Sequence, residues 1–510
     1  MFAYDRRPQI GWMTRAFVTA AILVVAATLL TLAFLPRPLT PDVTGQLWIA
    51  DQLRHGARLY LDISEPNPPL WFWLAMPIDA IADTVRARAA DVLIVAIGCV
   101  TMLSLATCAR LGSVRRLLLA YAAAILIIMP MRDLGQREQL TLILSLPYIF
   151  LAAMRREGMA LPLWLALLVG VQAALGFALK HYFVAVPVLL ELWLAVSLRQ
   201  RWRPLRIETL TLAAGAVAYA AAVHVLTPEF LTASVPATML AYPAASTPEL
   251  RFMIRPAQPI WALVILGIIG LRRSSGRALP SLSVAFLLAA AGFATAWLIQ
   301  LKGWPYHSIP TTGCLALALV AFAFGGAGDR GLRLGVLPLA GLILPLLLFA
   351  IPTQWRPDAR TDIAPAFVGL GEGDVVAVIA REGWTSWPGL ANRGLRFAGQ
   401  GGSLWILQAV DGNEAGARDP RIAELGRQMV RKTAHTFRCL PPRRVVFYPG
   451  RVPDIVTSAA DNPRRYFLQG ADFARVMDHY RQVPTTGLFD AFEQVRPLAP
   501  PVRGHCPRRP

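Results

Sequence analysis

Acidic residues, cysteines and the motifs of soluble enzymes are all scarce in this sequence of 510 residues. Asp and Glu number 31, and charged residues together make up 16%, whereas a soluble domain is about one quarter charged. The five cysteines form no CxxC pair and no Cys/His cluster with metal-ligand spacing, which excludes zinc-finger and thioredoxin-like classes. The GQGG stretch at Gly399–Gly402 lacks the strand–helix context and the lysine of a phosphate-binding loop. No internal repeat is present.

Apolar residues are what the chain has in abundance. They make up 55% of the sequence and the mean hydropathy is +0.48, so long apolar runs must be buried on every side, most simply in lipid. The net charge of +19 could indicate nucleic-acid binding. However, the Arg residues of the first two-thirds lie in short clusters between the apolar runs, where they are signals of membrane topology. The sequence therefore predicts a polytopic membrane protein with no nucleic-acid partner.

The apolar runs predict about eleven transmembrane helices, since a spanning helix needs about twenty apolar residues. The run after the basic amino terminus is long enough to be a retained first helix, because no small-x-small cleavage site follows it. The predicted helices begin near Ala16, Val92, Leu117, Leu140, Leu161, Tyr182, Ile207, Pro259, Pro280, Ile309 and Gly335.

Arginine clusters fall in every second loop, as expected if those loops are cytoplasmic. The clusters are Arg6/Arg7/Arg15, Arg110/Arg115/Arg116, Arg155/Arg156, Arg199/Arg201/Arg203/Arg206, Arg272/Arg273/Arg277 and Arg330/Arg333. The outward loops are then 37–88, 131–139, the turn around Lys180, 227–257 and the turn around Lys302. We therefore predict a bacterial inner-membrane protein with a cytoplasmic amino terminus and a periplasmic tail.

Two parts of the chain differ from a membrane span. The apolar segment Pro68–Ala82 is only about fifteen residues long, too short to span, and its tryptophans suit an interfacial helix at the outer surface. In the tail, GDVVAVIA and RRVVFYPG resemble strands, and IAELGRQMVRKTAHTF resembles an amphipathic helix. The predicted fold class is a polytopic all-α membrane domain over 1–353, carrying the outward loop 37–88, with a soluble extracytoplasmic α/β domain over 354–510.

The cysteines divide by environment. Cys99, Cys108 and Cys314 fall in apolar runs and are interpreted as packing residues. Cys439 and Cys506 lie in the polar tail, where an oxidising compartment would allow a disulfide. Two unpaired thiols remain the alternative.

Among the predicted outward loops, the first is the richest in polar residues that could take part in catalysis. Asp42 follows the first predicted span, and a helix-like stretch from Val43 to His55 comes next. Asp62, Glu65 and an NPPL turn then lead into the interfacial segment. An ordinary solvated loop whose Asp42 caps a helix is the alternative interpretation.

The whole arrangement resembles the first extracytoplasmic loop of the GT-C superfamily. The carboxylate just past the first span, the HGARLYLD stretch and PPLWFW carry the resemblance over about fifty residues, and the topology extends it along the chain. This superfamily includes protein O-mannosyltransferases and bacterial transferases that take sugars from polyprenyl phosphates. The mannosyltransferases have Asp-Glu where this chain has Asp42-Val43.

The resemblance implies a second acidic group from the outward loop MRDLGQREQL. Asp133 and Glu138 are the candidates, and Arg132 and Arg137 beside them could hold a phosphate, since a guanidinium donates two parallel hydrogen bonds. A solvated turn is the alternative. With Asp42, the two acidic residues are the predicted catalytic groups.

Further outward side chains are predicted to contact the substrate. Lys180 and Lys302 lie at helix ends, where a lysine could neutralise a lipid phosphate or simply extend to the interface. The predicted substrate-binding residues are Asp62, Glu65, Arg132, Arg137, Lys180, His181, Lys302, Tyr306 and His307. No residue is predicted to bind a metal, and a divalent metal ion stays open as a cofactor.

The function implied is that of an inverting glycosyltransferase that uses a hexosyl or pentosyl polyprenyl phosphate. Asp42 would accept the proton of an acceptor hydroxyl on a periplasmic glycan, lipid or protein, and cations would stabilise the leaving phosphate. One alternative is a transporter or flippase of lipid-linked sugars. Another is a membrane-anchored binding protein whose tail, with WPGLANRGLRFAGQGGSLW, contacts carbohydrate.

Overall fold

The structure is a computed structural model of the chain. It describes residues 39–111, 116–130, 133–244, 279–300 and 304–325, and in the tail 363–380, 389–401, 404–415, 418–448, 462–485, 489–501 and 504–507. Residues 18, 21–26, 28, 260, 261, 263–265, 267, 268 and 387 are also described. The chain divides into two compact units. The first comprises Met1–Leu35, Asp91–Ala221 and Pro248–Trp355, and the second Pro36–Ala90, Ala222–Thr247 and Arg356–Pro510.

The helices through the first two-thirds of the chain follow its apolar runs. They are α1 (Pro41–Arg54), α2 (Leu70–Val85), α3 (Ala89–Arg110), α4 (Arg116–Ile127), α5 (Arg137–Arg156), α6 (Leu163–Ala178), α7 (Ala185–Leu198), α8 (Ile207–Leu226), α9 (Val235–Ala241), α10 (Ser281–Gln300) and α11 (Ile309–Gly325). Short 3-10 turns, His181–Val184 and Pro305–Ser308, lead into α7 and α11.

Five segments in the described part of the chain are long and apolar enough to cross a membrane: Ala89–Arg110, His181–Arg201, Ile207–Leu226, Ser281–Gln300 and Pro305–Ala323. They coincide with five predicted spans. The helices at the third and fifth predicted spans are shorter, and α5, at the fourth, carries charges at both ends. Most of the first and eighth predicted spans and all of the eleventh lie outside the described residues. The mostly helical, apolar character is confirmed, and the number eleven stays a prediction.

Helix α10 is central to the packing of the first unit, where it lies against α11, α7 and α5. Small residues allow the close contacts, as is typical of membrane helices. A Cβ placed on Gly292 of α10 would lie 2.8 Å from the Cα of Val186 in α7, and one on Gly176 would lie 2.9 Å from Cβ of Leu144 in α5. Larger side chains at these two positions would force the helices apart.

The second unit combines the predicted first outward loop with part of the 227–257 loop and the tail. Helix α1 begins at Pro41, close to the predicted Val43, and ends before Gly56, whose φ of 87° suits glycine. Helix α2 confirms the helix predicted over Pro68–Ala82, and its interfacial position stays a prediction. Both helices are joined by Arg54 Nη1, which lies 2.5 Å from carboxylate oxygens of Asp79 and of Asp83.

The tail folds around a five-stranded mixed sheet. Its strands are β1 (Val375–Ile379), β2 (Arg396–Phe397), β3 (Arg444–Phe447), β4 (Tyr480–Val483) and β5 (Asp490–Gln494), in the order β2-β1-β3-β5-β4. β2, β1 and β3 run parallel, while β5 is antiparallel to β3 and β4. The helices are α12 (Gly389–Asn392), α13 (Trp405–Ala415), α14 (Pro420–Cys439), α15 (Pro463–Leu468) and α16 (Ala471–Met477).

Alternation along the strands gives the sheet two buried faces. In β1, Ala377 and Ile379 belong to one apolar core, and Val376 and Val378 to another, because successive side chains point to opposite faces. The first of these cores also includes Ala241 of α9. The predicted strands, the predicted amphipathic helix and the α/β character of the tail are therefore confirmed, and its description as a soluble domain stays a prediction. The predicted domain boundary near residue 353 lies outside the described residues.

Candidate functional site

A buried cluster of polar side chains lies within the first unit. Lys180 Nζ lies 2.5 Å from Oε1 of Glu138, 2.9 Å from Oε1 of Gln300 and 3.3 Å from Nε2 of His307. The His307 nitrogen is also 3.6 Å from Oε1 of Glu138. The relative exposure of Glu138 is 1%, of His307 3% and of Lys180 5%. We refer to Glu138, Lys180, Gln300 and His307 as the buried polar cluster.

Four helix ends position these side chains. Glu138 lies in the first turn of α5, and Gln300 is the last residue of α10. Lys180 precedes the 3-10 turn that leads into α7, and His307 lies in the turn that leads into α11. The contributing segments come from, or adjoin, three loops that the Arg pattern predicts to face outward. Residues distant in sequence thus meet at one place.

Glu138 and Lys180 form a buried ion pair that desolvation makes costly to assemble. Such a pair is stable only with close geometry and additional hydrogen bonds. Lys180 has these, through Gln300 and His307. Glu138 does not use both of its oxygens, because Oε2 is buried without a hydrogen-bond partner among the described residues. That oxygen can accept a hydrogen bond from a bound hydroxyl.

Arg137 precedes Glu138 in the first turn of α5 and is likewise buried, at 4% exposure. Within the described part of the chain, its Nε and Nη1 have no hydrogen-bond partner. Buried guanidinium N–H groups without acceptors are costly, and an anion offers a favourable partner for them. The helix N-terminus adds partial positive charge. Arg137 is therefore suited to hold a phosphate group.

The predicted charged turn before α5 is not a solvated turn. Asp133, Arg137 and Glu138 are all buried, so this alternative is wrong for these three residues. The alternative of an interfacial, solvent-reaching Lys180 is wrong too, because its ammonium lies inside the buried polar cluster. α5 also begins at Arg137, earlier than the predicted Leu140, which places both charges within the helix.

The other predicted substrate-binding residues of the first unit have different surroundings. Tyr306 is buried, and its ring centroid lies 4.6 Å from that of His307 in an edge-on arrangement. His181 is exposed and its ring lies 3.8 Å from that of Tyr182. Arg132 and Lys302 lie outside the described residues.

In the second unit, Asp42 is the second residue of α1 and is exposed. It does not act as the N-cap, which is Thr40, and no side-chain capping bond is made there. The alternative that Asp42 is simply the capping residue is therefore wrong. The exposed carboxylate of Asp42 lies in the first turn of α1, near the N-terminus of that helix.

Asp62 and Glu65, predicted to bind substrate, have clear structural bonds in the same unit. Arg58 donates Nε and Nη2 to Asp62, each over 3.0 Å, together with its backbone N–H over 2.8 Å. Burial raises the pKa of Asp62, but these bonds outweigh it and hold the pKa below its usual value. Glu65 Oε1 accepts from the backbone N–H of Asn67 over 3.0 Å, and the Glu65 carbonyl accepts from Ser234.

A second ion network in the first unit was missed by the sequence reasoning. Arg155 of α5 donates two hydrogen bonds to Glu208 of α8, over 2.8 and 2.9 Å. Arg206 contacts both Glu208 and Glu191 of α7, and Tyr148 donates to Glu191 over 3.0 Å. Arg155 and Arg206, interpreted only as topology signals, therefore also tie three helices together. Glutamates within apolar runs were the signal that could have revealed this network.

The tail contains a disulfide between Cys439 and Cys506, with Cα atoms 5.4 Å apart, so the alternative of two unpaired thiols is wrong. Together with His435, these sulfurs form the His/Cys group of metal-binding proximity found among the described residues. Because both sulfurs are used in the disulfide, this group is not a metal site in this state.

No protein-family model matches the chain, and no curated protein matches it. Among solved structures, it is similar to arabinofuranosyltransferase AftD from Mycobacteria, at 16% identity and a TM-score of 0.43. That match covers 96% of this chain and 42% of AftD, so the chain spans less than half of AftD's length. It is also similar to ArnT from Cupriavidus metallidurans bound to undecaprenyl phosphate, at 12% identity and a TM-score of 0.49, covering 96% of this chain and 99% of ArnT.

The first neighbour is named as an arabinofuranosyltransferase, and the second is described as bound to undecaprenyl phosphate. At TM-scores below 0.5, these similarities assign no activity, substrate or site residue to this chain.

Proposed function

We propose that this chain is a membrane glycosyltransferase that moves a sugar from a polyprenyl-phosphate donor to a periplasmic glycan, lipid or protein, with inversion at the anomeric carbon. The observation that carries the proposal is the buried polar cluster with Arg137 beside it in sequence. In that cluster, Lys180 meets Glu138 and His307 out of contact with water, on segments from loops predicted to face the same side of the membrane.

The chemistry of these groups suits a leaving phosphate. Arg137 has unpaired donors, and Lys180 supplies a buried positive charge. As the bond between the anomeric carbon and the phosphate oxygen breaks, negative charge grows on the phosphate, and buried preorganised donors stabilise it. The unpaired oxygen of Glu138 can accept a hydrogen bond from a hydroxyl group of the sugar.

Asp42 is the proposed general base. The acceptor oxygen forms a bond to the anomeric carbon, its proton passes to Asp42, and polyprenyl phosphate departs. A positioned base of this kind contributes about 10²- to 10⁴-fold. We therefore expect Asp42→Asn to lower transfer at least about 100-fold while donor binding is kept. A folded Asp42→Asn protein that transfers sugar at the normal rate would remove Asp42 from this role.

The experiment uses the full chain in liposomes with a polyprenyl-phosphate donor labelled in its sugar and an envelope extract as the acceptor source. Arg137→Gln should lower the formation of free polyprenyl phosphate roughly 100-fold, as loss of one preorganised donor does elsewhere. Arg156→Gln, at the other end of the same helix, is the matched control and should stay within about twofold. Movement of an intact labelled donor across the bilayer, without release of the sugar, would favour the transporter or flippase alternative.

A further inference from the structure

A cleft of about 720 Å³, including its open mouth, lies within the second unit. Four stretches of the chain form it: α1 and the turn after it, the segment from Phe397 to Gly399, the carboxyl half of α14, and the segment around His505. The disulfide fastens this last segment, because Cys439 is in α14 and Cys506 follows His505. His505 also bonds through Nε2 to the carbonyl of Gly56, over 3.1 Å.

One wall of the cleft is aromatic and fixed in place. Trp48 and Phe397 both line it, with ring centroids 5.3 Å apart in an edge-on arrangement. Trp387 lies behind, 6.0 Å from Trp48 and 5.3 Å from Phe397. A rigid aromatic face of this kind offers apolar contact area at little cost in conformational entropy.

The remaining walls are polar. Gln52 lines the cleft, and its Nε2 donates to Asp51 over 2.9 Å, which fixes the amide. Lys432 and Thr436 lie one turn apart on α14 and face the same cleft. Desolvation lowers the pKa of Lys432, and the negative charge of Asp62 opposes this effect. Hydrogen-bond donors and acceptors thus lie opposite an aromatic surface.

The charges in the cleft argue against a strongly anionic ligand. Asp62 contributes a carboxylate, and the guanidinium of Arg58 is already bonded to it at both oxygens. Among the described residues that line the cleft, Lys432 is the one lysine or arginine. An alkyl chain would leave the polar walls unsatisfied, which is unfavourable.

A sugar ring matches both kinds of wall, because its C–H face is apolar and its rim carries hydroxyl groups. We infer that the cleft binds a saccharide unit of the acceptor, with the ring against Trp48 and its hydroxyl groups bonded to Gln52 and Lys432. The identification of this saccharide as part of the acceptor rests on the proposed function.

Saturation-transfer NMR on the full chain in detergent tests the inference without any donor. The probes are four methyl glycosides: those of glucopyranose, mannopyranose, galactofuranose and arabinofuranose. We expect saturation transfer to at least one, and Gln52→Ala or Lys432→Met should weaken its binding about tenfold, the effect of one lost hydrogen bond to a charged or fixed partner. Arg427→Ala is the matched control, since Arg427 lies on α14, exposed and paired with Glu424.

The outcomes separate the two proposals. No saturation transfer to any glycoside, or equal transfer in the wild type and both folded cleft variants, overturns the saccharide site. Binding that the cleft variants weaken, and Arg427→Ala does not, supports it. If the wild type binds a glycoside in this way but never cleaves the labelled donor, the proposed function fails and the cleft is a glycan-binding site without the acceptor role.

Discussion

The ion pair between Glu138 and Lys180 allows a stability prediction that depends on burial. The two charged atoms are 2.5 Å apart, and both side chains are almost fully buried. With an effective dielectric constant of about 20, their gross attraction is about 7 kcal/mol. Most of this offsets the desolvation of the two groups. What matters for a single substitution is the charge that is left behind.

Lys180→Met leaves the carboxylate of Glu138 buried without its counter-ion, and Glu138→Gln leaves the ammonium in the same situation. Either change should lower the free energy of unfolding by about 3–5 kcal/mol, the usual cost of breaking a buried pair. The double variant should cost clearly less than the sum, since replacing a whole buried pair is often nearly neutral. The coupling energy expected from the cycle is therefore about 3 kcal/mol or more.

Reversible unfolding in mixed micelles, titrated with SDS and followed by tryptophan fluorescence, measures these differences. The control is Glu424→Gln, because Glu424 also contacts two arginines, at 2.7 and 2.8 Å, but on an exposed surface. It should produce no measurable change, as is usual for exposed pairs. Single variants that each cost less than about 1 kcal/mol and add up in the double variant would refute the reasoning.

Three further predictions concern other parts of the structure. Replacing both Cys439 and Cys506 by serine should lower the stability of the tail by about 4 kcal/mol in denaturant titrations, because the bridge closes a separation of 67 residues; no change would mean that the bridge is absent. Hydrogen bonds from Arg58 lower the pKa of Asp62 in the folded state, so the pair stabilises the fold fully above about pH 4, the usual pKa of an aspartate, and this stabilisation is lost as the pH falls through the lowered pKa. Arg58→Leu should therefore weaken the loss of stability at acid pH, and an unchanged pH dependence of the free energy of unfolding would contradict this prediction. Gly292→Ala should cost about 1–3 kcal/mol in SDS titrations, because its Cβ would lie 2.8 Å from the backbone of α7; full stability would show that the helices separate freely.

Elements with strong local patterns were predictable from the sequence. The helix over Pro420–Cys439 and the strands at Val375 and Arg444 follow apolar periodicity and β-branched runs, which depend on neighbours in sequence. The ends of α5 were less certain. Because Arg137 and Glu138 are charged, they were assigned to a loop. In the structure, they lie in the first turn of α5 and are buried by the surrounding helices.

The candidate site was only partly predictable. Glu138, Lys180 and His307 were each proposed as site residues, but Lys180 is 42 residues from the first and 127 from the second. Nothing local in the sequence specifies which of several outward charges meet. Gln300 was missed because an amide at the end of an apolar run has no distinctive pattern. The interhelical network of Glu191 and Glu208 was missed because Arg155 and Arg206 were already explained as signals of membrane topology.

The second unit is assembled from three stretches that are far apart in the chain, 36–90, 222–247 and 356–510. A ribosome adding about 5–20 residues per second needs roughly 15–60 s to synthesise the roughly 300 residues between the first stretch and Trp387. During that interval Trp48 has neither Trp387 nor Phe397 to pack against. Newly made chains must therefore wait with an unfinished apolar surface. A chain that stops early would keep that surface exposed, which makes it a natural substrate for chaperones and proteases.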